Sequence, residues 1–247
     1  MDINTIINSL ENADNDNKRF ALLLILAELI KTNKLDELKL KNVCDQEEAN
    51  ISDAHKHKCQ KLNEKLFASI GSNFLARLLT TRQTTENMSP ILYKAVGMSI
   101  LTQFLDYERL ACDPVIISKL DVICQILVDT NILSSQEKED EIQLRKNLYS
   151  DTFKYLFSLS HFMPDHLCQN TNLLDILVNN IILNEANGYG TKSIENVLVA
   201  NNHDDENFRL IACKLISSLC KETSCQTAKG HEKFNLGKFN FQIIKIH

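Results

Sequence analysis

Four side chains in one stretch have the chemistry to hold a metal: Cys44, His55, His57 and Cys59. Thiolate sulfur and imidazole nitrogen are proper zinc ligands, but structural sites pair them as C-x2-4-C and H-x3-5-H. His55 and His57 are only two residues apart, and side chains at that spacing on a helix point away from each other. The stretch therefore reads as a polar insertion with adventitious histidines. His161, Asp165 and His166 cluster at a corner between two helices, where capping explains them in the absence of a recognisable nucleophile. His203, Asp204, Asp205 and Glu206 place acids in a first helical turn, where the helix dipole favours them. Asp14, Asn15, Asp16 and Asn17 lack the Gly and terminal Glu of a calcium loop and supply an N-cap instead.

No nucleophile elbow, phosphate-binding loop, dinucleotide fingerprint or zinc-protease helix is present. The chain is read as non-enzymatic, with no catalytic, cofactor-binding or metal residue and no cofactor. One polar patch is left, Arg77 with Thr80 and Thr81. A partner contact is conceivable there, but the structural reading is favoured. Arg77 lays its stem along an apolar ridge, and the two hydroxyls cap the break before Pro90.

The elements around these residues are helical. Ile3, Ile6, Ile7 and Leu10 make one side of a short first helix. A second, from Asp16 to about Lys31, is apolar nearly all round, which predicts an inner helix sandwiched between layers. Residues 32–54 are polar, mixed in charge and read as a mobile insertion, partly helical near Leu35 to Leu40. Patterning resumes from His55 to Ile70, where Gly71 suits the turn that ends a helix. Phe67, Ile70, Phe74, Leu75, Leu78 and Leu79 form one ridge, and Leu92, Val96, Ile100, Leu101 and Phe104 a second. The helix carrying the second ridge is expected to run to about Leu105.

Ser89-Pro90 and Asp113-Pro114 are two helix starts of one design, a side-chain acceptor followed by Pro where no N–H is needed. A single helix is expected from Pro114 to about Val128. A longer one runs to about Ser158, carrying Ile142, Leu144, Leu148, Phe153, Leu156 and Phe157. Further helices are expected over 172–184, 192–200 and 204–220. Starts thus recur near 90, 114, 137, 171 and 204, with no strand pattern between them. Paired helices at that period predict an all-α, armadillo/HEAT-like α-solenoid of stacked helix pairs over residues 1–220. A single globular helical bundle is the alternative. Residues 221–247 hold five Lys against two Glu and end in a strand-like alternation. They read as an irregular tail outside the solenoid, from a truncated or alternatively ended product.

Composition agrees. Six Gly and three Pro in 247 residues are too few for a turn-rich β fold. The formal charge of −5 and the near-balance of eight Lys against seven acids over residues 31–65 argue against nucleic acid. Eight Cys without a compact framework, set mostly in apolar helical patterns such as those around Cys124, Cys213 and Cys220, suit a reducing compartment. The longest apolar run, Phe20 to Ala27, continues only to Ile30 and is interrupted by Glu28, so it is too short for a membrane span, and it does not resemble a signal peptide. Peripheral association with a membrane stays open.

The order Phe67, Gly71, Phe74, Arg77 to Thr81, Ala95, Gly97, Leu101 and Phe104 resembles the N-terminal part of the neurochondrin family. Phe20 to Leu24, Leu110-Ala111, Asp113-Pro114, Asp151-Thr152 and Gly188 to Gly190 extend the resemblance over about residues 12–220. It implies an armadillo-like cytoplasmic scaffold of neuronal cell bodies and dendrites, acting in neurite outgrowth and synaptic plasticity. Implied partners are calcium/calmodulin-dependent kinase II, whose phosphorylation it restrains, and cytoplasmic tails of receptors. The competing reading is an importin-like transport or targeting adaptor, which would need an Asn/Trp ladder. Trp is absent. The oligomeric state is not legible.

Overall fold

The computed structural model describes residues 2–32, 38, 53–82, 89–129, 139–177 and 212–219. Those residues are 86% helical and contain no strand. The helices are α1 (Ile3–Glu11), α2 (Asp16–Lys31), α3 (Asp53–Ile70), α4 (Ser72–Thr80), α5 (Pro90–Thr102), α6 (Glu108–Ala111), α7 (Pro114–Ile117), α8 (Leu120–Asp129), α9 (Glu139–Phe162), α10 (Pro164–Gln169) and α11 (Thr171–Asp175). Residues 212–219 form one further helical segment.

Local chemistry fixes most starts. The Asp2 carboxylate accepts from the Thr5 backbone N–H at 2.8 Å, and the Asn15 side chain accepts from Lys18 N–H at 2.9 Å. Ser89 Oγ accepts from Ile91 N–H, and Asp113 Oδ1 from the N–H groups of Val115 and Ile116. Pro90 and Pro114 fill the first turn in each case. Gly71, with φ +83°, ends α3 and begins α4 in one residue, a conformation a Cβ would strain. Thr80 Oγ1 donates to the Ala76 carbonyl at 3.0 Å and Thr81 Oγ1 to the Arg77 carbonyl at 2.8 Å. Both hydroxyls thus serve the end of α4.

Two rows of contacts organise the packing. In one, α2 touches α5 and α5 touches α9; in the other, α1 touches α3, and α4 touches α7 and α8. The rows meet through α1–α2, α4–α5 and α8–α9. Between them lie both ridges: Ile70, Leu75, Leu79, Ile100, Leu101 and Phe104 are completely or almost completely buried. Each such side chain contributes about 1.5–3 kcal/mol relative to leaving it in water. Gly97 permits the close α4–α5 approach, since a Cβ there would meet Leu79 Cδ2 at 3.1 Å.

A polar hub crosses the apolar interior. Asn63 is fully buried. Its Nδ2 reaches the carbonyls of Leu38 (3.1 Å) and Cys59 (2.9 Å) and the Tyr107 hydroxyl (3.1 Å). Gln103 donates to Asn63 Oδ1 at 3.3 Å. A second tie runs from the Tyr155 hydroxyl of α9 to the Ala111 carbonyl at 2.7 Å.

Several expectations are corrected. The helix after Pro90 stops at Thr102, and residues 103–106 turn. The helix after Pro114 is broken at Ser118-Lys119 into α7 and α8, with short α6 preceding it. The break lets Leu120, Ile123 and Leu127 face the core that Ile116 also enters. Helix α9 continues to Phe162, with Tyr155 fully buried and Phe157 exposed. Leu148, Thr152, Tyr155, Leu156 and Leu159 make the buried stripe at helical spacing, so Phe157 falls outside it. Its ring instead meets His161 edge-on, 4.9 Å between centroids. Helix α2 is not sandwiched, since Ile25 is 44% exposed. Cys213, expected inside an apolar pattern, is exposed. The expected helices over 178–184, 192–200 and 204–211, and residues 33–37, 39–52 and 221–247, lie outside the described residues.

Candidate functional site

Among the described residues, a groove of about 430 Å³ lies over the row α2–α5–α9. Its floor is α5, with Ala95, Val96, Ser99 and Thr102. One wall is the C-terminal half of α2, with Leu24, Ala27 and Ile30; the other is α9, with Leu144 and Asn147. Leu92 also lines it. Small side chains on the floor let another backbone approach closely, and the leucines and isoleucine offer half-buried apolar surface.

The two rims carry charge differently. On α9, Lys154 Nζ lies 2.8 Å from Asp151 Oδ1, one turn away. On α2, Glu28 and Lys31 are exposed and, among the described residues, their side chains make no ion pair. The aromatic pair Phe20–Tyr93, 4.4 Å between centroids, holds α2 to α5. A second, shallower recess borders α7, α8, α10 and α11, where Asn170 Nδ2 donates to Asp121 Oδ1 at 2.8 Å.

The sequence-derived candidates do not gather at the groove. His55 and His57 are exposed on α3, and Cys59 is buried. His55 Nε2 and Cys59 Sγ meet at 3.5 Å, the i, i+4 pair that the spacing argument about His55 and His57 passed over. Cys44 and His203 to Glu206 lie outside the described residues. Among the described residues, no group of three or more potential ligands gathers around a common point. Arg77 pairs with Asp16 at 2.9 Å and lies over the Phe74 ring, 5.3 Å from its centroid. It therefore links α4 to the start of α2. Asp165 and His166 sit on α10, whose N-cap Met163 makes no side-chain cap bond.

Burial raises the pKa of several groups away from the groove. Desolvation, with Asp121 adding repulsion, pushes the Cys124 thiol up to about 12. Desolvation and Glu108 push Cys112 up to about 11. Both are protonated near neutrality, as small hydrophobes rather than nucleophiles. Tyr107, in the Asn63 hub, is pushed up to about 12 by burial first and Cys59 second. Burial likewise raises Tyr155.

The signal for the groove was present in the sequence but misassigned. Helix α2 is apolar nearly all round, which predicts a covering layer. The structure gives part of that surplus to the groove.

The described residues are helical and carry no strand, and three of their helices line an open groove. The comparisons narrow the class. Residues 52–164, less than half of the chain, match the Neurochondrin family model, so this stretch is similar to that family. Neurochondrin of Rattus norvegicus is 21% identical over 154 residues, 62% of this chain and 17% of that protein. The Homo sapiens protein matches with the same identity and coverage. The neurochondrin homolog of Drosophila melanogaster is 31% identical over 93 residues, 37% of this chain and 12% of that protein. The matched stretch thus spans less than a fifth of these relatives. No solved structure matches. Helices α5 and α9 fall inside the family-matched segment and α2 precedes it. No helix among the described residues is long and apolar enough to cross a membrane.

Proposed function

We propose that this chain is a non-enzymatic protein-binding scaffold that recognises other proteins through the α2–α5–α9 groove. The observation that carries the reading is a floor of small side chains between apolar walls, open along three helices. Such a surface suits a polypeptide segment. Residues 1–220 form an armadillo-like solenoid of stacked helix pairs in this reading, with an insertion over 32–54 and an irregular tail over 221–247. The contact order α2–α5–α9 beside α1–α3 and α4–α7/α8 supports that stacking.

By resemblance, the setting is the neuronal cytoplasm and the role is in neurite outgrowth and synaptic plasticity. The partners are calcium/calmodulin-dependent kinase II, whose phosphorylation is restrained, and receptor cytoplasmic tails. Calorimetric titration of the full chain with the purified kinase and with receptor-tail peptides tests this. The Ser99→Trp variant, which fills the floor, is expected to lose binding that the parent chain shows. Equal binding by both would remove the groove from the account. An importin-like adaptor is the second reading, testable by titrating a basic nuclear-localisation peptide. The rim carries both signs of charge rather than an acidic lining, which favours the scaffold.

A further inference from the structure

The two rims of the groove differ in a way that specifies an occupant. The α9 rim is electrostatically closed, because Asp151 and Lys154 satisfy each other at 2.8 Å. The α2 rim is open: Glu28 and Lys31 lie one turn apart on the exposed edge, and neither side chain makes an ion pair among the described residues. Between them, the α5 stripe from Leu92 to Thr102 is eleven residues long, a rise of about 15 Å at 1.5 Å per step. That length matches an i, i+3, i+4, i+7 set of anchors on an incoming helix. Ala95 and Ser99 lie in the middle of this stripe, where small side chains let helix backbones approach closely.

We infer that the groove takes a short amphipathic helix from a partner protein, laid along α5 with its apolar ridge on the small-residue floor. The helix carries a basic and an acidic residue one turn apart on its α2-facing edge, paired with Glu28 and Lys31. An extended segment would use backbone hydrogen-bonding groups along its length, and a row of intact helices offers no free sheet edge to meet them. This inference rests on the groove being the recognition surface.

The test uses the full chain and a phage-displayed library of helical peptides with randomised surface positions, selected against the immobilised protein. Selected peptides are expected to show apolar residues at i, i+3, i+4 and i+7 and opposite charges one turn apart. Their affinity is expected to fall at least tenfold in Ser99→Trp. The exposed double swap E28K/K31E should weaken them about fivefold per charge, the scale of an exposed ion pair. Peptides with the two charges exchanged should regain that affinity on the swapped protein. Thermal melts of both variants establish that they are folded. Selected peptides that bind Ser99→Trp as well as the parent chain would overturn the groove reading itself. Groove-dependent peptides indifferent to the Glu28 and Lys31 swap would overturn the charge-paired edge and leave the groove reading standing. Failure to select any helical peptide, with an unstructured library yielding groove-dependent binders, would overturn the helical occupant.

Discussion

Helices α4 and α5 lie against one another at Leu78, Leu79 and Gly97, yet they distribute their apolar residues differently. In α4, Phe74, Leu75, Ala76, Leu78 and Leu79 are all buried, with Asn73 and Arg77 turned outward. In α5, burial of Ala95, Val96, Met98, Ile100 and Leu101 leaves Ile91, Leu92 and Tyr93 only half-buried. An amphipathic helix such as α4 uses its apolar residues for packing. Helix α5 touches α2, α4 and α9, and of its half-buried apolar residues Leu92 lines the groove while Tyr93 packs on Phe20. In the proposed reading, the apolar surface left over at the groove is what a partner covers.

The sharpest way to break that contrast is to truncate one leucine on each helix. Leu79→Ala, at a fully buried position, is expected to cost about 2–5 kcal/mol of stability in urea denaturation. A loss below about 1 kcal/mol would mean that the α4 ridge is not core. Gly97→Leu probes the contact from the other side. Because a Cβ there already meets Leu79 at 3.1 Å, the larger side chain is expected to cost about 1–3 kcal/mol, read from the same denaturation curves.

Tyr155→Phe removes the bond to the Ala111 carbonyl and is expected to cost about 0.5–1.5 kcal/mol near neutral pH. The substitution also has a pH signature. Tyr107, Cys112 and Cys124 have raised folded pKa values of about 12, 11 and 12 against ordinary values of 10.0, 9.0 and 9.0, and Tyr155 shifts in the same direction. The unfolded chain therefore releases these protons first. Stability is complete below about pH 9 and falls as pH rises; the contributions of Tyr107, Cys112 and Cys124 are lost by about pH 12, and that of Tyr155 goes on falling above it. Without the Tyr155 hydroxyl, the decline above pH 10 should be shallower; an unchanged slope would contradict its burial. Leu92→Ala, on the groove wall, should have the smallest effect on stability, below about 1 kcal/mol, while weakening groove-dependent peptides several-fold. A stability loss equal to that of Leu79→Ala would erase the contrast between the two helices.

Much of the fold was legible because it rests on local chemistry. Asn15, Ser89 and Asp113 cap as their positions indicate, and the Phe67 to Leu79 ridge buries as its spacing requires. The break at Ser118-Lys119 was not legible, since neither residue prohibits a helix. Nor was the Asn63 hub, because an Asn among Lys, Gln and Glu looks solvated. Apart from the Cys59 carbonyl one turn away, its partners Leu38, Gln103 and Tyr107 lie 25, 40 and 44 residues off. The surplus apolar residues of α2 are legible, but periodicity does not say whether such surplus meets another helix or open space. The half-buried Leu24 and Ile30, which line the groove, and the exposed Ile25, which does not, show that it meets open space on two sides.

The most direct measurement places a photo-crosslinking benzoyl-phenylalanine at Asn147 on the α9 wall of the groove, leaving the floor open, and, separately, at Asn73 on the outward face of α4. Mass spectrometry of the crosslinks to a selected helical peptide then maps what each face touches. The account predicts crosslinks from Asn147, spaced three or four residues apart along the peptide, and none from Asn73. Crosslinks from Asn73 with none from Asn147 would contradict it.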